Sequence, residues 1–218
     1  LIVARPPSDI ANRLVHAART RFLNEGVDGA SLRKIATDAG TNIGMVYYYF
    51  KTKDDLFLAV VEQVYSVILA DMTQLLTSDL PEDQRLQQLY QRVAHMSDEE
   101  FEVIRLILRE ALVSSTRLTR LGSRFLRGHI PVVLRCLSDG VAHGRLRNDL
   151  QPVLLLGATL SLGIMPQLVR RLLAGVLPSG AQTLPPAADV ARVMSDVLLT
   201  GIGRRAHTPL AAAEQKAT

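Results

Sequence analysis

Between Ser31 and Lys53 the chain carries Arg33, Thr41, Asn42, Tyr47, Tyr48, Tyr49 and Lys53, a run of donors, flat aromatic faces and cations. These groups bind rather than react. A guanidinium forks onto a guanine edge or clamps a phosphate, and a carboxamide pairs with a base edge. Phenols lay flat faces and hydroxyls against bases and sugars, and an ammonium meets phosphate oxygens. Reactive chemistry has no comparable support. His16, His95, His129, His143 and His207 lack metal-ligand spacing, and Cys136 stands alone. No glycine-rich phosphate loop follows a strand, and no nucleophile elbow is present. The expectation is a non-enzyme without metal or cofactor.

Charge agrees with a polyanionic partner. The chain has 218 residues and a formal net charge of +4. Residues 1–53 carry eight basic and four acidic side chains, whereas the remainder carries 17 of each. The whole excess therefore lies in the first quarter, where it either meets a polyanion or is ordinary surface variation.

The elements that must position these residues read as helices. In residues 9–24, Ile10, Leu14, Ala17, Ala18 and Phe22 form one stripe, with Ser8 as N-cap and Gly26 ending the segment. Val27–Ala30 is expected to turn. Ser31 caps a second helix to Ala39 that buries Leu32, Ile35, Ala36 and Ala39, and Gly40 supplies the left-handed residue at its end. A third short helix runs from Asn42 or Ile43 to Tyr49. Val46 and Phe50 should fill the core and leave Tyr47 and Tyr48 outside. Thr52 caps a long fourth helix to about Leu76, with Asp54 and Asp55 in its first turn, where the helix dipole favours acids. Two short helices across a tight glycine turn make a helix-turn-helix, whose second helix enters the major groove.

After a break at Ser78–Asp83, helices are expected at about 84–96, 98–114, 119–142, 150–173 and 187–204, with loops at Gly140–Arg147 and Gly175–Pro186 and a frayed tail at 207–218. Pro131, inside the third of these, implies a kink. There is no strand signal. The fold class is all-α: an N-terminal three-helix helix-turn-helix domain, 8–54, and a larger helical bundle domain, 55–206.

Residues 13–56 resemble the DNA-binding domain of the tetracycline-repressor (TetR) family. The resemblance lies in Leu14-Val15-His16-Ala17-Ala18, Phe22 and Gly26, then Ser31-Leu32-Arg33-Lys34-Ile35-Ala36 with Ala39-Gly40, then the run from Thr41 to Leu56. Within that run, Gly44-x-x-Tyr47-x-x-Phe50-x-x-Lys53 is the specific pattern. The resemblance implies DNA contacts by Ser31, Arg33, Thr41, Asn42, Ile43, Gly44, Tyr47, Tyr48, Tyr49 and Lys53. Arg33 is alternatively a solvated charge, and Asn42 either reads a base or caps its helix. Tyr49 stands where the family usually has His, so it brings a phenol and no positive charge.

The family also implies a homodimer on a palindromic operator in double-stranded DNA and an unidentified small-molecule effector. Its dimer helices map to about 150–173 and 187–204, with Gly157, Ser161, Val190, Val193, Val197 and Gly201 as interface candidates. Effector candidates are Tyr65, Arg105, Arg109, Phe125, His129 and Cys136. Arg105 and Arg109 share a helix face and can hold an anion, or else form a solvated face balanced by Glu102 and Glu110. His129 is more simply a core or surface residue. Cys136 is either a redox sensor or a small core hydrophobe.

Residues 150–169 carry no charge and are long enough to span a bilayer. Gln151, Pro152, Thr159, Ser161, Pro166 and Gln167, and the lack of an aromatic belt, favour a dimer core instead, with no membrane partner. A single cysteine and no signal-peptide pattern point to the cytoplasm. Helix-turn-helix heads serve repression and activation alike; the expectation is a repressor released by its effector.

Overall fold

The computed structural model describes residues 7–177 and 184–202. Their helices are α1 (Pro7–Gly29), α2 (Leu32–Asp38), α3 (Ile43–Tyr49), α4 (Lys53–Leu76), α5 (Glu82–Ala94), α6 (Asp98–Val113), α7 (Ser115–Leu126), α8 (His129–Ala142), α9 (Pro152–Val176) and α10 (Ala187–Ile202). No strand forms among the described residues.

The chain divides into two compact units. One comprises residues up to Gln74 together with Met96–Pro131, and the other Leu75–His95 together with residues from Val132 on. The core of the first unit joins α1, α2, α3, α4, α6 and α7 through Leu14, Ala18, Phe22, Ile35, Val46, Leu56, Phe57, Val103, Leu106 and Leu121. Phe22 and Phe57 meet edge to face, with ring centroids 6.5 Å apart. In the second unit α10 packs on α5 and α9. Tyr90 is buried there; its hydroxyl donates to the Thr159 carbonyl at 2.9 Å, and its ring lies against Gly163.

Three expectations are corrected. α1 begins at Pro7, so Ser8 falls inside the first turn rather than at the cap. The helix breaks at Gly26, which adopts φ 78°, but one more helical turn follows, closed by the Ala30 N–H on the Gly26 carbonyl at 3.1 Å. The expected helix 119–142 is two helices, α7 and α8, and Pro131 sits in the first turn of α8, where its missing N–H costs nothing, rather than at a kink. At the break the Gly128 N–H turns back to the Phe125 carbonyl at 3.0 Å and the His129 N–H donates to the Tyr65 hydroxyl at 3.1 Å. The expected end of the last helix at 204, the 207–218 tail and His207 lie outside the described residues.

By length and composition α4 and α9 could each cross a membrane. α4 turns Leu56, Phe57, Val60, Val61 and Val64 into the core. α9 leaves an apolar face open, including Leu154, Met165, Val169, Leu172 and Val176.

Candidate nucleic-acid interface

Local capping builds the head. The Ser31 hydroxyl accepts the Lys34 N–H at the start of α2. At its end the Thr41 N–H reaches the Ala36 carbonyl and the Gly40 N–H the Thr37 carbonyl, both at 2.9 Å, and Gly40 takes φ 63°. This hydrogen-bond pair needs a left-handed residue, and glycine adopts that conformation without steric cost. The Asn42 side chain accepts the Met45 N–H at 3.2 Å and caps α3. Of the two roles open to Asn42, the cap is the one formed in the free protein. Thr52 and Asp55 cap α4 reciprocally, each side chain accepting the other's N–H at 3.0 Å.

With α3 anchored by buried Val46, its outer face is free. Tyr47 is 57% and Tyr48 76% exposed, and Phe50 packs on the core. Tyr49 is half-buried, edge-on to Tyr48 at 5.0 Å. Arg33, Asn42 and Gly44 are exposed, whereas Ser31, Thr41 and Ile43 are half-buried. Lys53 is half-buried, and its ammonium donates to the Asp28 carbonyl at 2.9 Å. A cleft of about 700 Å³ behind the turn is lined by Arg13, His16, Ala17, Ala39, Gly40 and Gln63, among others.

The effector candidates do not form one group. Tyr65, Phe125 and His129 do come together, with centroids 5.0 to 5.8 Å apart, and Arg124 lies 4.6 Å over the Tyr65 ring. Burial holds His129 neutral, its pKa lowered to about 4. Arg105 is exposed. Arg109 turns instead to α1, donating to the carbonyls of Phe22 at 2.6 Å and Leu23 at 3.3 Å. Cys136 is buried in the other unit, and burial pushes its thiol up to about 11, which suits a small core hydrophobe better than a reactive thiolate. Among the dimer candidates, Gly157, Ser161, Val193, Val197 and Gly201 are exposed and Val190 is half-buried.

Sequence reasoning missed one polar assembly altogether. Buried Arg117 gathers Asp28, Asp54 and Glu110, and Arg120 and Arg124 pair with Asp55 and Glu62. The available signal was the spacing of the three arginines on α7 and the acids that open α4.

A capped pair of short helices, presenting an aromatic face beyond a buried anchor, forms a helix-turn-helix unit. Residues 14–60 match the family model described as "Bacterial regulatory proteins, tetR family". The repressor NicS of Pseudomonas putida is 38% identical over 55 residues, 25% of this chain and 26% of NicS. By that N-terminal stretch the chain is similar to the tetR family of bacterial regulatory proteins. In the curated matches the aligned stretches span 26% to 56% of the relatives' length. The fold is also that of FadR from Bacillus subtilis in complex with stearoyl-CoA, with TM-score 0.72, 16% identity, and 88% of this chain and 98% of that one covered. SmeT in complex with triclosan gives TM-score 0.65 and 20% identity, with 90% and 93% covered.

Proposed function

We propose that the protein is a ligand-responsive transcription regulator whose dimer reads a palindromic operator through α3 and represses until a small molecule releases it. The observation that carries this reading is the outward face of α3. Tyr47 and Tyr48 are solvent-facing on a helix held from beneath by Val46, in a chain segment that holds all the excess positive charge. Large aromatics at such exposure, in a unit that also exposes Arg33, are suited to bases, sugars and phosphates. Arg33, Gly44, Tyr47 and Tyr48 serve as contacts, Ile43 touches a thymine methyl, and Asn42 positions α3 as its cap. Ser31, Thr41, Tyr49 and Lys53 contribute at the backbone, Lys53 together with the amide groups that open α4.

Residues 8–54 are taken as the reading domain and 55–206 as the sensing and dimerisation domain. The open apolar face of α9, with Gly157 and Ser161, and the outer face of α10, with Val190, Val193, Val197 and Gly201, support a two-fold dimer through these helices. Solved proteins of this fold hold stearoyl-CoA and triclosan, which supports a largely apolar effector, with Tyr65, Phe125 and His129 nearest to its site. Binding that favours one of two head arrangements then suffices for release. The site of action is the cytoplasm.

The test is selection of duplexes from a random pool, followed by fluorescence anisotropy across a salt series for wild type, Tyr47→Ala and Lys53→Ala. A selected two-fold-symmetric site, a steep salt slope, a flatter slope in the lysine variant and lower affinity in the tyrosine variant are expected. A folded wild type that selects no duplex at low salt overturns the reading.

A further inference from the structure

We propose that Arg117, together with Glu110, is a positioning residue for DNA reading: its buried guanidinium grips the chain immediately before α2 and immediately after α3 and ties both points to α6. The proposal rests on the DNA-binding reading above and adds the residues that hold the reading pair in register.

Arg117 lies in the first turn of α7 and is only 4% exposed. Its Nη1 and Nη2 donate to the two carboxylate oxygens of Asp28 at 3.0 and 2.6 Å, Nη1 also donates to Asp54 at 3.0 Å, and Nε lies 3.0 Å from Glu110 Oε2. Three carboxylates from three elements thus meet one guanidinium. Asp28 closes the turn before α2, Asp54 is in the first turn of α4, just after α3, and Glu110 is on α6. The α2–α3 segment is held at both of its ends from one point. The Arg117–Glu110 pair at the centre of this cluster is buried and costly to desolvate, whereas Asp28 stays open to solvent, and apolar side chains would pack at the centre without that cost, so geometry is what the pair contributes.

Glu110 extends the grip to the Gly26 break. Its Oε1 accepts the Val27 N–H at 3.3 Å and the Arg109 Nε at 3.2 Å, while Arg109 takes the Phe22 and Leu23 carbonyls. The backbone groups freed on both sides of the break are therefore satisfied by two consecutive residues of α6. Gly26 is required by its φ of 78°, and the Arg109 guanidinium passes close over it. Asp28, held by Arg117, gives its carbonyl to the Lys53 ammonium, which links the clamp to a phosphate-facing cation. Further along α7, Arg120 donates to Asp55 at 2.6 Å and Arg124 to Glu62 at 2.7 Å. Acids at the start of α4, which would otherwise repel phosphates, are neutralised in place. A displacement of α6 and α7 would reach the head at both ends of its reading pair at once.

The test measures binding of the selected duplex and of a scrambled duplex by wild type, Arg117→Lys and the paired variant Arg117→Met/Glu110→Met, each with and without Lys53→Ala. The paired variant removes the two buried charges together, where a single Arg117→Met would strand Glu110, and circular dichroism checks that it folds. It is expected to lose roughly tenfold or more of its affinity for the selected duplex while binding to scrambled DNA changes little. Arg117→Lys keeps the charge without the fork and should fall between the two. Lys53→Ala should cost less in the paired variant than in wild type, because both act on the same register. A folded paired variant that binds like wild type, or a Lys53→Ala effect that is strictly additive, overturns the proposal while leaving the DNA-binding reading intact. A wild type that selects no duplex overturns both.

Discussion

Tyr65 and His129 satisfy each other twice. The Tyr65 hydroxyl accepts the His129 backbone N–H at 3.1 Å and also lies within hydrogen-bond distance of His129 Nδ1, at 2.9 Å. The contact pins the start of α8 to α4, and it explains why the helix expected to run through residue 128 stops there.

This neutral histidine gives a pH prediction. Burial first, and then the nearby Arg124 charge, lower the His129 pKa from 6.5 to about 4. A group whose native pKa is depressed contributes stability that is complete above its unfolded pKa. As pH falls from about 6.5 to about 4, the unfolded chain takes up a proton that the folded chain refuses, and stability drops by up to about 3 kcal/mol. Urea melts of wild type and His129→Gln between pH 7 and 4.5 check this. The variant should show the shallower decline, and equal slopes would exclude the assignment.

Gly128 is the steric counterpart. A Cβ would lie 2.1 Å from the Tyr65 hydroxyl and 3.1 Å from the Arg124 carbonyl. Gly128→Ala should therefore destabilise the fold by about 1–3 kcal/mol, the usual range for overpacking. Adding Tyr65→Phe, which removes that hydroxyl, should recover part of the loss in thermal melts.

Asn42 separates capping from base reading. Asn42→Ala should cost about 1 kcal/mol of stability and weaken operator binding, and Asn42→Ser, which caps equally well, should restore both. If Ser restores the melting temperature but not the affinity, the carboxamide reads a base. Gly44→Ala tests the same cap from the other side, since its Cβ would press within 3.0 Å of Asn42 Oδ1.

The open face of α10 predicts the assembly. Val197 is 51% exposed and makes no core contribution to its own unit, so Val197→Asp should leave the fold intact. Sedimentation velocity should show wild type as a dimer and the variant shifted toward monomer, with weaker operator binding. A wild type that sediments as a monomer at micromolar concentration would remove the basis for two-fold reading.

The helix-turn-helix was legible because its determinants are short-range. The apolar stripe of α1, the caps at Ser31, Asn42 and Thr52, and the positive φ of Gly40 each depend on residues within a few positions of one another. The same locality made Val46 readable as an anchor and Tyr47 and Tyr48 as outward residues. Arg109 was less legible. Its spacing from Arg105 suggested a shared face, but Arg105 is exposed and the carbonyls that engage Arg109 belong to Phe22 and Leu23, 87 and 86 positions earlier.

By itself the sequence determined the two short helices of the reading pair, their caps at Ser31 and Asn42 and the composition of the reading face, since backbone hydrogen bonds and side-chain period act over one or two turns. Only the tertiary structure decided which charges meet. Arg117 and Asp28 are 89 residues apart, and Arg117 and Asp54 are 63 apart. No local rule selects those partners among the 21 acidic residues of the chain. They are chosen by the packing of α6 and α7 against α1 and α4, which buries the guanidinium where unpaired charge is intolerable and leaves both carboxylates, with Glu110, within reach.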